Sequence, residues 1–184
     1  MGEEFNVILE VFMDKNTLVL FAKYNKAVNG KMNGIINTLS PEEWGKDLGG
    51  YFQSVRGLCS HLYIADFNWL KRFSKLRDFS VFQDALFTRE PYSFKEELFQ
   101  DMGEYLTRRS ELDEKIIAFT NEITEADSNS LLKYIDSHGT PYEKNFGALV
   151  MHCFNHDTHH RGMISLYLEM LGYENDFASL SVVF

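Results

Sequence analysis

The sequence predicts an all-α protein built as a four-helix bundle, and three observations carry that expectation. Four long segments place apolar residues at spacings of three and four, the period of a helix with one buried face. The prolines, Pro41, Pro91 and Pro141, fall only where such a segment begins or ends. Apolar residues make up 45% of the 184, so four stripes can be buried against one another around one core. With 24% charged residues beside that apolar share, a disordered chain of low hydrophobicity is excluded. No repeat, low-complexity tract or linker divides the chain, and residues 1–184 are read as one domain.

The first helix is expected from Asp14 to Leu39, with Leu18, Phe21, Asn25, Val28, Met32, Ile35 and Leu39 along one side. It stops at Ser40-Pro41, where Pro-Glu-Glu starts a short extra turn with Ser40 as its N-cap. The second runs from Gln53 to Phe73 on the stripe Leu58, Leu62, Ala65 and Trp69. The third runs from Phe94 to Glu122, with Phe94, Leu98, Met102, Tyr105, Leu112, Ile116 and Phe119 on one side. Its wet side carries Glu104/Arg108 and Glu111/Lys115 at the favourable spacing of four. The fourth runs from Tyr142 to Leu171 and ends at Gly172, a good residue for a helix stop. Between the last two, residues 130–146 read as a short strand, a Gly-containing turn and a helix entry, which suits a small β-hairpin. The long connection between helices two and three leaves room for these two to run parallel.

Charge narrows the function. Lys and Arg total 18 against 27 Asp and Glu, a net charge of −9 and a pI near 5.1. A sequence-independent grip on nucleic-acid phosphates needs a basic surface, so nucleic acid is not the expected partner. No run of 18 apolar residues exists to span a membrane. Glu3 and Glu4 stand where a signal peptide would carry Lys or Arg, and Cys59 and Cys153 are too few for a disulfide framework. The cytosol, and a cytoplasmic protein, is the default expectation.

The histidines point to chemistry. Of His61, His138, His152, His156, His159 and His160, four crowd into Met151-His-Cys-Phe-Asn-His-Asp-Thr-His-His-Arg-Gly162. With His160 at ~0° on a helical wheel, Leu149, Cys153, Ile164, Tyr167 and Leu171 fall within ~40° of it, so His160 points into the bundle. His156 lies at about −40° and ~6 Å along the axis, on the same face. His152 and His159 lie near −80° and −100°, at the flank, and His152 is ~12 Å from His160 along the axis. The pair that can share an ion is therefore His156 and His160. A metal site with an open position usually takes three protein ligands. His138, in a Gly-Pro turn, is poorly braced, whereas His61 lies on helix two about 70° from the centre of its stripe, within reach of a neighbouring helix. His61 is the expected third ligand. The alternative, that these histidines only satisfy one another in a core, remains open at this level.

The runs Gly57-Leu-Cys-Ser-His-Leu-Tyr-Ile-Ala-Asp-Phe-Asn-Trp-Leu70 and His152-Cys-Phe-Asn-His-Asp-Thr-His-His-Arg-Gly162 resemble the DinB/YfiT-like proteins, damage-inducible metalloproteins of bacteria. Tyr24-Asn25, Asn29 and the segment Ser40-Pro-Glu-Glu-Trp-Gly-Lys-Asp-Leu48 are similar to that family too, so the likeness covers nearly the whole chain. It implies an up-down-down-up four-helix bundle with a divalent metal on three histidines, which by position are His61, His156 and His160. It further implies a homodimer, and for some branches transfer of groups to or from a low-molecular-weight thiol. Ala27 is a departure, standing where many members carry Trp.

Three imidazoles on Zn²⁺ or Ni²⁺ leave an open position at which a water or a thiol is activated, so the expected function is a metal-dependent S-transferase or hydrolase acting on a small-molecule substrate. The alternatives are a non-catalytic metal- or small-molecule-binding bundle and a purely structural protein. Imidazole suits several metals and does not choose among them. Asp157 is placed to orient an imidazole. Arg109 falls in the apolar register of helix three and needs Asp66, Asp157 or an anionic substrate as partner. Cys153 reads as a small core residue, with a fourth-ligand or reactive-thiol role as the alternative, and Cys59 points away from its helix's stripe and has no role. The aromatics from Phe52 through Trp69 to Phe94 are expected in the core, with some at a pocket mouth.

Overall fold

The computed structural model describes residues 13–94, 96–136 and 139–183. The acidic N-terminus read for a leader and His138 lie outside them. Six helices and one hairpin follow in chain order. They are α1 (Lys15–Ile36), α2 (Pro41–Gly45), α3 (Val55–Phe73), α4 (Met102–Glu122), α5 (Glu125–Ser128), β1 (Leu131–Ile135), β2 (Pro141–Asn145) and α6 (Phe146–Met170). Short 3₁₀ turns occupy 80–83, 85–88 and 180–183.

The four long helices pack as a ring of neighbours: α1 lies against α4 and α6, and α3 lies against the same two. Side-chain pairs fix the directions. Phe21 stacks on Phe154 and Asn25 bonds Asp157, so α1 and α6 run the same way. Arg109 meets Asp66 and Phe119 meets Phe73, so α3 and α4 run together. Phe73 against Phe146 and His61 against His156 set α3 antiparallel to α6. One apolar cluster draws on all four, from Leu18 and Met32 of α1 to Ile164 and Leu168 of α6. No helix among the described residues is long and apolar enough to cross a membrane.

Local chemistry sets the boundaries. Asp14 caps α1 by accepting the Thr17 N–H at 3.2 Å, and Ser40 with Glu43 forms a reciprocal capping box on α2. α1 ends at Ile36 rather than Leu39, because the residues before Pro41 leave the helical region and tighten into a turn. Leu39 is buried all the same. The hairpin pairs β1 and β2 antiparallel, with Tyr134 opposite Tyr142.

Two expected helices start late. α4 begins at Met102, where Asp101 accepts the Glu104 N–H at 2.7 Å, and Phe94 and Leu98 lie in the preceding loop. That loop finds its hydrogen bonds on α3 instead of in a helix. Asn68 both donates to the Tyr92 carbonyl and accepts from its N–H, each at 2.9 Å, and Ser60 accepts the Phe99 N–H. α6 begins at Phe146, capped by Asn145, because Tyr142 is committed to the hairpin. Glu104 pairs with Arg108 at 3.0 Å as expected, whereas Lys115 turns from Glu111 to Asp84.

Candidate metal centre

Each histidine is placed by its helix and by what braces that helix. Ser54 caps α3 by accepting the Gly57 N–H at 3.0 Å, two turns before His61. At Gly57 a Cβ would lie 2.2 Å from the Phe52 carbonyl oxygen, so only glycine lets residue 52 approach α3 this closely. Phe52 consequently roofs the site, its ring 4.4 Å from that of His61 and 5.4 Å from that of His160. The roof hangs from α6. Tyr167 donates to the Gly49 carbonyl, and at Gly50, with φ of 72°, a Cβ would come within 2.7 Å of the Tyr167 hydroxyl.

Beneath this roof the three expected residues converge. His156 and His160 sit one turn apart on α6 with ring centroids 4.3 Å apart, and His61 reaches them from α3. His61 Nε2 and His156 Nε2 are 3.2 Å apart, and ligand atoms of all three residues lie within 4.8 Å of one another. Two imidazole nitrogens ~2.0–2.1 Å from a tetrahedral ion would be ~3.3 Å apart, so the observed spacing fits a shared ion. His160 is buried, and among the described residues its Nδ1 has no hydrogen-bond partner. A donor set of three imidazoles with one buried orphan nitrogen can hold a metal ion.

Electrostatics prepare the set. Burial, with His156 alongside, holds His61 down to about 4. Burial, then His156 and His61, hold His160 down to about 3. Both rings are neutral near pH 7, the state in which imidazole binds a metal. His152 and His159 are exposed; His152 meets Trp69 edge-on at 5.5 Å and His159 meets His160 edge-on at 4.8 Å.

The remaining sequence expectations divide. Cys153 is a core residue, its thiol donating to the Leu149 carbonyl, and burial raises it far above the ordinary thiol range. Cys59 is not turned away from the core but fully buried, and its thiol is pushed up by burial to about 12. The physical reason is that α4 packs on this second side of α3, with Tyr105 and Arg109 beside the thiol. Phe67, Phe73, Phe79, Phe82 and Phe87 serve the core, while Phe52 and Phe94 flank His61.

A buried polar layer lies next to the histidines. Arg109 donates to Asp66 and to Asp113, both at 2.6 Å, and Asn29 donates to Asp113 at 2.9 Å. Arg161 donates to Asn25 and Asn29, and Asn25 donates to Asp157 at 2.5 Å. Burial, then the charge of Asp157, raise Asp66 above the usual carboxylate range despite Arg109. Burial raises Asp113 as well, even beside Arg109. Asp157 Oδ1 is 4.0 Å from His156 Nδ1, too long for a hydrogen bond, so Asp157 acts on that ring by its charge and not by orienting it. The sequence reading gave no role to Asp113 or Arg161. The signal for Arg161 was its spacing of four from Asp157 on the inward face of α6.

An all-α protein that gathers three imidazoles from two helices under an aromatic roof is, by fold and site, a helical protein able to hold a metal ion. The sequence model of the DinB family matches residues 13–179, and the chain belongs to that family. It is 26% identical over 153 residues to Protein DinB of Bacillus subtilis (strain 168), covering 82% of this chain and 84% of that one.

Proposed function

We propose that this chain is a metal-dependent enzyme, an S-transferase or hydrolase, in which His61, His156 and His160 hold one divalent ion, Zn²⁺ or Ni²⁺. The observation that carries the reading is the meeting of three imidazole ligand atoms within 4.8 Å, drawn from α3 and α6. Such an ion, with a position left open by three neutral ligands, lowers the pKa of a bound water or low-molecular-weight thiol and makes it a nucleophile.

The chain's own residues supply the setting. Phe52 covers His61 and His160 from one side, and Phe94 stands at the edge of His61. Asp157, held below the usual carboxylate range by its neighbours in spite of burial, puts a negative charge beside His156. The Arg161–Asn25–Asp157 chain fixes that carboxylate against α1. In the same proposal the protein works in the cytoplasm and as a homodimer, for which exposed Leu166 and Met170, one turn apart on α6, offer apolar surface.

Metal analysis of purified, untagged protein tests the reading, with close to one ion per chain expected. His156→Ala abolishes binding, while His152→Ala, which alters a flanking ring, leaves it largely intact. Equal loss in both variants overturns the three-histidine assignment. Turnover is then sought with thiols and epoxide, haloalkane or maleyl electrophiles, and with amide and ester substrates. A metal-loaded protein inert to all of them is a binder and not an enzyme.

A further inference from the structure

A groove of about 1030 Å³ opens beside the histidines and follows α3 toward the hairpin. At its upper end it is lined by Tyr51 and Phe94. Tyr51 packs on Phe52, and Phe94 lies 6.1 Å from His61, so the groove begins at the rim of the candidate metal centre. Along its wall stand Asn68, Lys71, Arg72 and Lys75. Residues 61, 68 and 72 return to one side of α3, within ~40° of one another, and Lys75 follows just past the helix end. The wall is thus the continuation of the face that carries His61.

Three cations on one wall are unusual in a chain of net charge −9. Their surroundings differ. Lys71 is tied to the Phe87 carbonyl at 2.8 Å, and Lys75 is exposed. Arg72 is half-buried and its guanidinium carbon sits over two aromatic rings, 4.7 Å from the centre of Trp69 and 5.9 Å from that of Tyr134. Among the described residues no hydrogen bond and no ion pair engages its guanidinium. The groove also contains Glu90 and Asp136. Asp136 accepts the Thr140 N–H at 2.8 Å, and it touches Arg72 only as a more distant charge. Positioned over the Trp69 ring, the guanidinium has a fork of N–H donors to offer a planar anion.

Beside the groove, ring contacts also link Arg72 to the histidines: Arg72 lies over Trp69, Trp69 meets His152 at 5.5 Å, and His152 lies 6.4 Å from His156. Eleven residues of helix separate His61 and Arg72, ~16 Å along the axis. A long arginine side chain shortens that gap, leaving a span of about three or four extended residues.

Resting on the metal reading above, we infer that this groove is the substrate-binding subsite of the centre, and that Arg72 receives a carboxylate of an acidic, tripeptide-sized substrate whose reacting group sits at the histidines. Lys75 strengthens the field without a fixed contact, and Asn68 is spent on the backbone of Tyr92.

The test uses two peptide thiols of equal size, N-acetyl-Cys-Gly-Asp and its fully amidated counterpart, with the protein loaded with Co²⁺. Thiolate binding is read from the sulfur-to-cobalt charge-transfer absorption. The acidic thiol is expected to bind about tenfold or more tightly than the amide. Arg72→Gln removes that advantage and leaves the amide unchanged, and Arg72→Lys, which keeps the charge without the fork, retains part of it. A second arm uses metal-free protein and the S-methylated acidic peptide, followed by the shift of the Trp69 indole resonance, which Arg72→Gln abolishes. Equal affinity for acid and amide, or an advantage that survives Arg72→Gln in a folded variant, overturns the inference. Tighter binding of the phosphoserine analogue than of the aspartate peptide overturns the carboxylate assignment. If no metal binds, the first arm fails with the metal reading, while the second still decides the groove.

Discussion

At one end of the bundle Phe73, Phe79, Phe119 and Phe146 pack ring on ring, with Phe73 and Phe119 stacked 4° from parallel at 5.5 Å. Farther along the same helices, next to the histidines, the interior is Arg109, Asp66, Asp113, Arg161, Asn25 and Asp157. The two regions are equally buried and do different work. Rings gain from burial almost wherever they touch, so the aromatic end stabilises without demanding one alignment. Charges in the interior are tolerated only in the register that pairs them. The polar layer thereby sets how α1, α3, α4 and α6 align, and that alignment brings His61 level with His156.

Breaking each region separates these roles. Arg109→Met leaves the Asp113 charge buried without its counter-ion and is expected to cost about 3–5 kcal/mol in denaturant unfolding. The same variant is expected to lose metal binding. Phe119→Ala removes a fully buried ring and costs a similar amount, about 3–5 kcal/mol, yet should keep one ion per chain. If Phe119→Ala loses the ion as readily as Arg109→Met does, the division of labour is wrong.

A gentler change sharpens the comparison. Asp157→Asn keeps the size of the side chain but removes the charge 4.0 Å from His156. Metal affinity, measured by competition with a chromophoric chelator, should fall by about tenfold. An unchanged affinity would mean that the carboxylate serves only Arg161 and Asn25.

Between pH 7 and pH 5 acid acts first on the histidine end. Protons bind the unfolded imidazoles near 6.5 but bind His61 and His160 in the fold only near 4 and 3. Between those values the unfolded chain takes up more protons, so stability present above about 6.5 is lost as pH falls through the interval. The melting temperature of metal-free protein should therefore drop from pH 7 to pH 5. His61→Asn should flatten that slope, and Phe119→Ala should leave it as steep.

Much of this was legible in the chain. The wheel angles of His156 and His160 and the edge position of His61 depend only on helical geometry, and the three rings lie together in the fold. Ser40 with Glu43, and Gly172 after α6, are local signals, and both mark true ends. The start of α4 was not legible, because Phe94 and Leu98 keep the helical spacing while the backbone on either side of them, at Tyr92 and Phe99, is claimed by Asn68 and Ser60, 24 and 39 residues earlier. Cys59 was misread because a stripe cannot show that another helix, α4, will cover a second side of α3. Asp113 escaped notice because an acidic residue on a helix normally faces water, and only the Arg109 guanidinium one turn away reverses that.

The Tyr167 phenol that holds the Gly49 carbonyl is a latch on the aromatic ceiling. It touches none of the three ligand rings, so its influence is on traffic and not on grip. Tyr167→Phe should let a chelator strip the ion several times faster while the equilibrium constant barely moves. Retention of a cation here would then be governed partly by a hinge of two glycines, in a chain whose ligands alone would suggest free exchange.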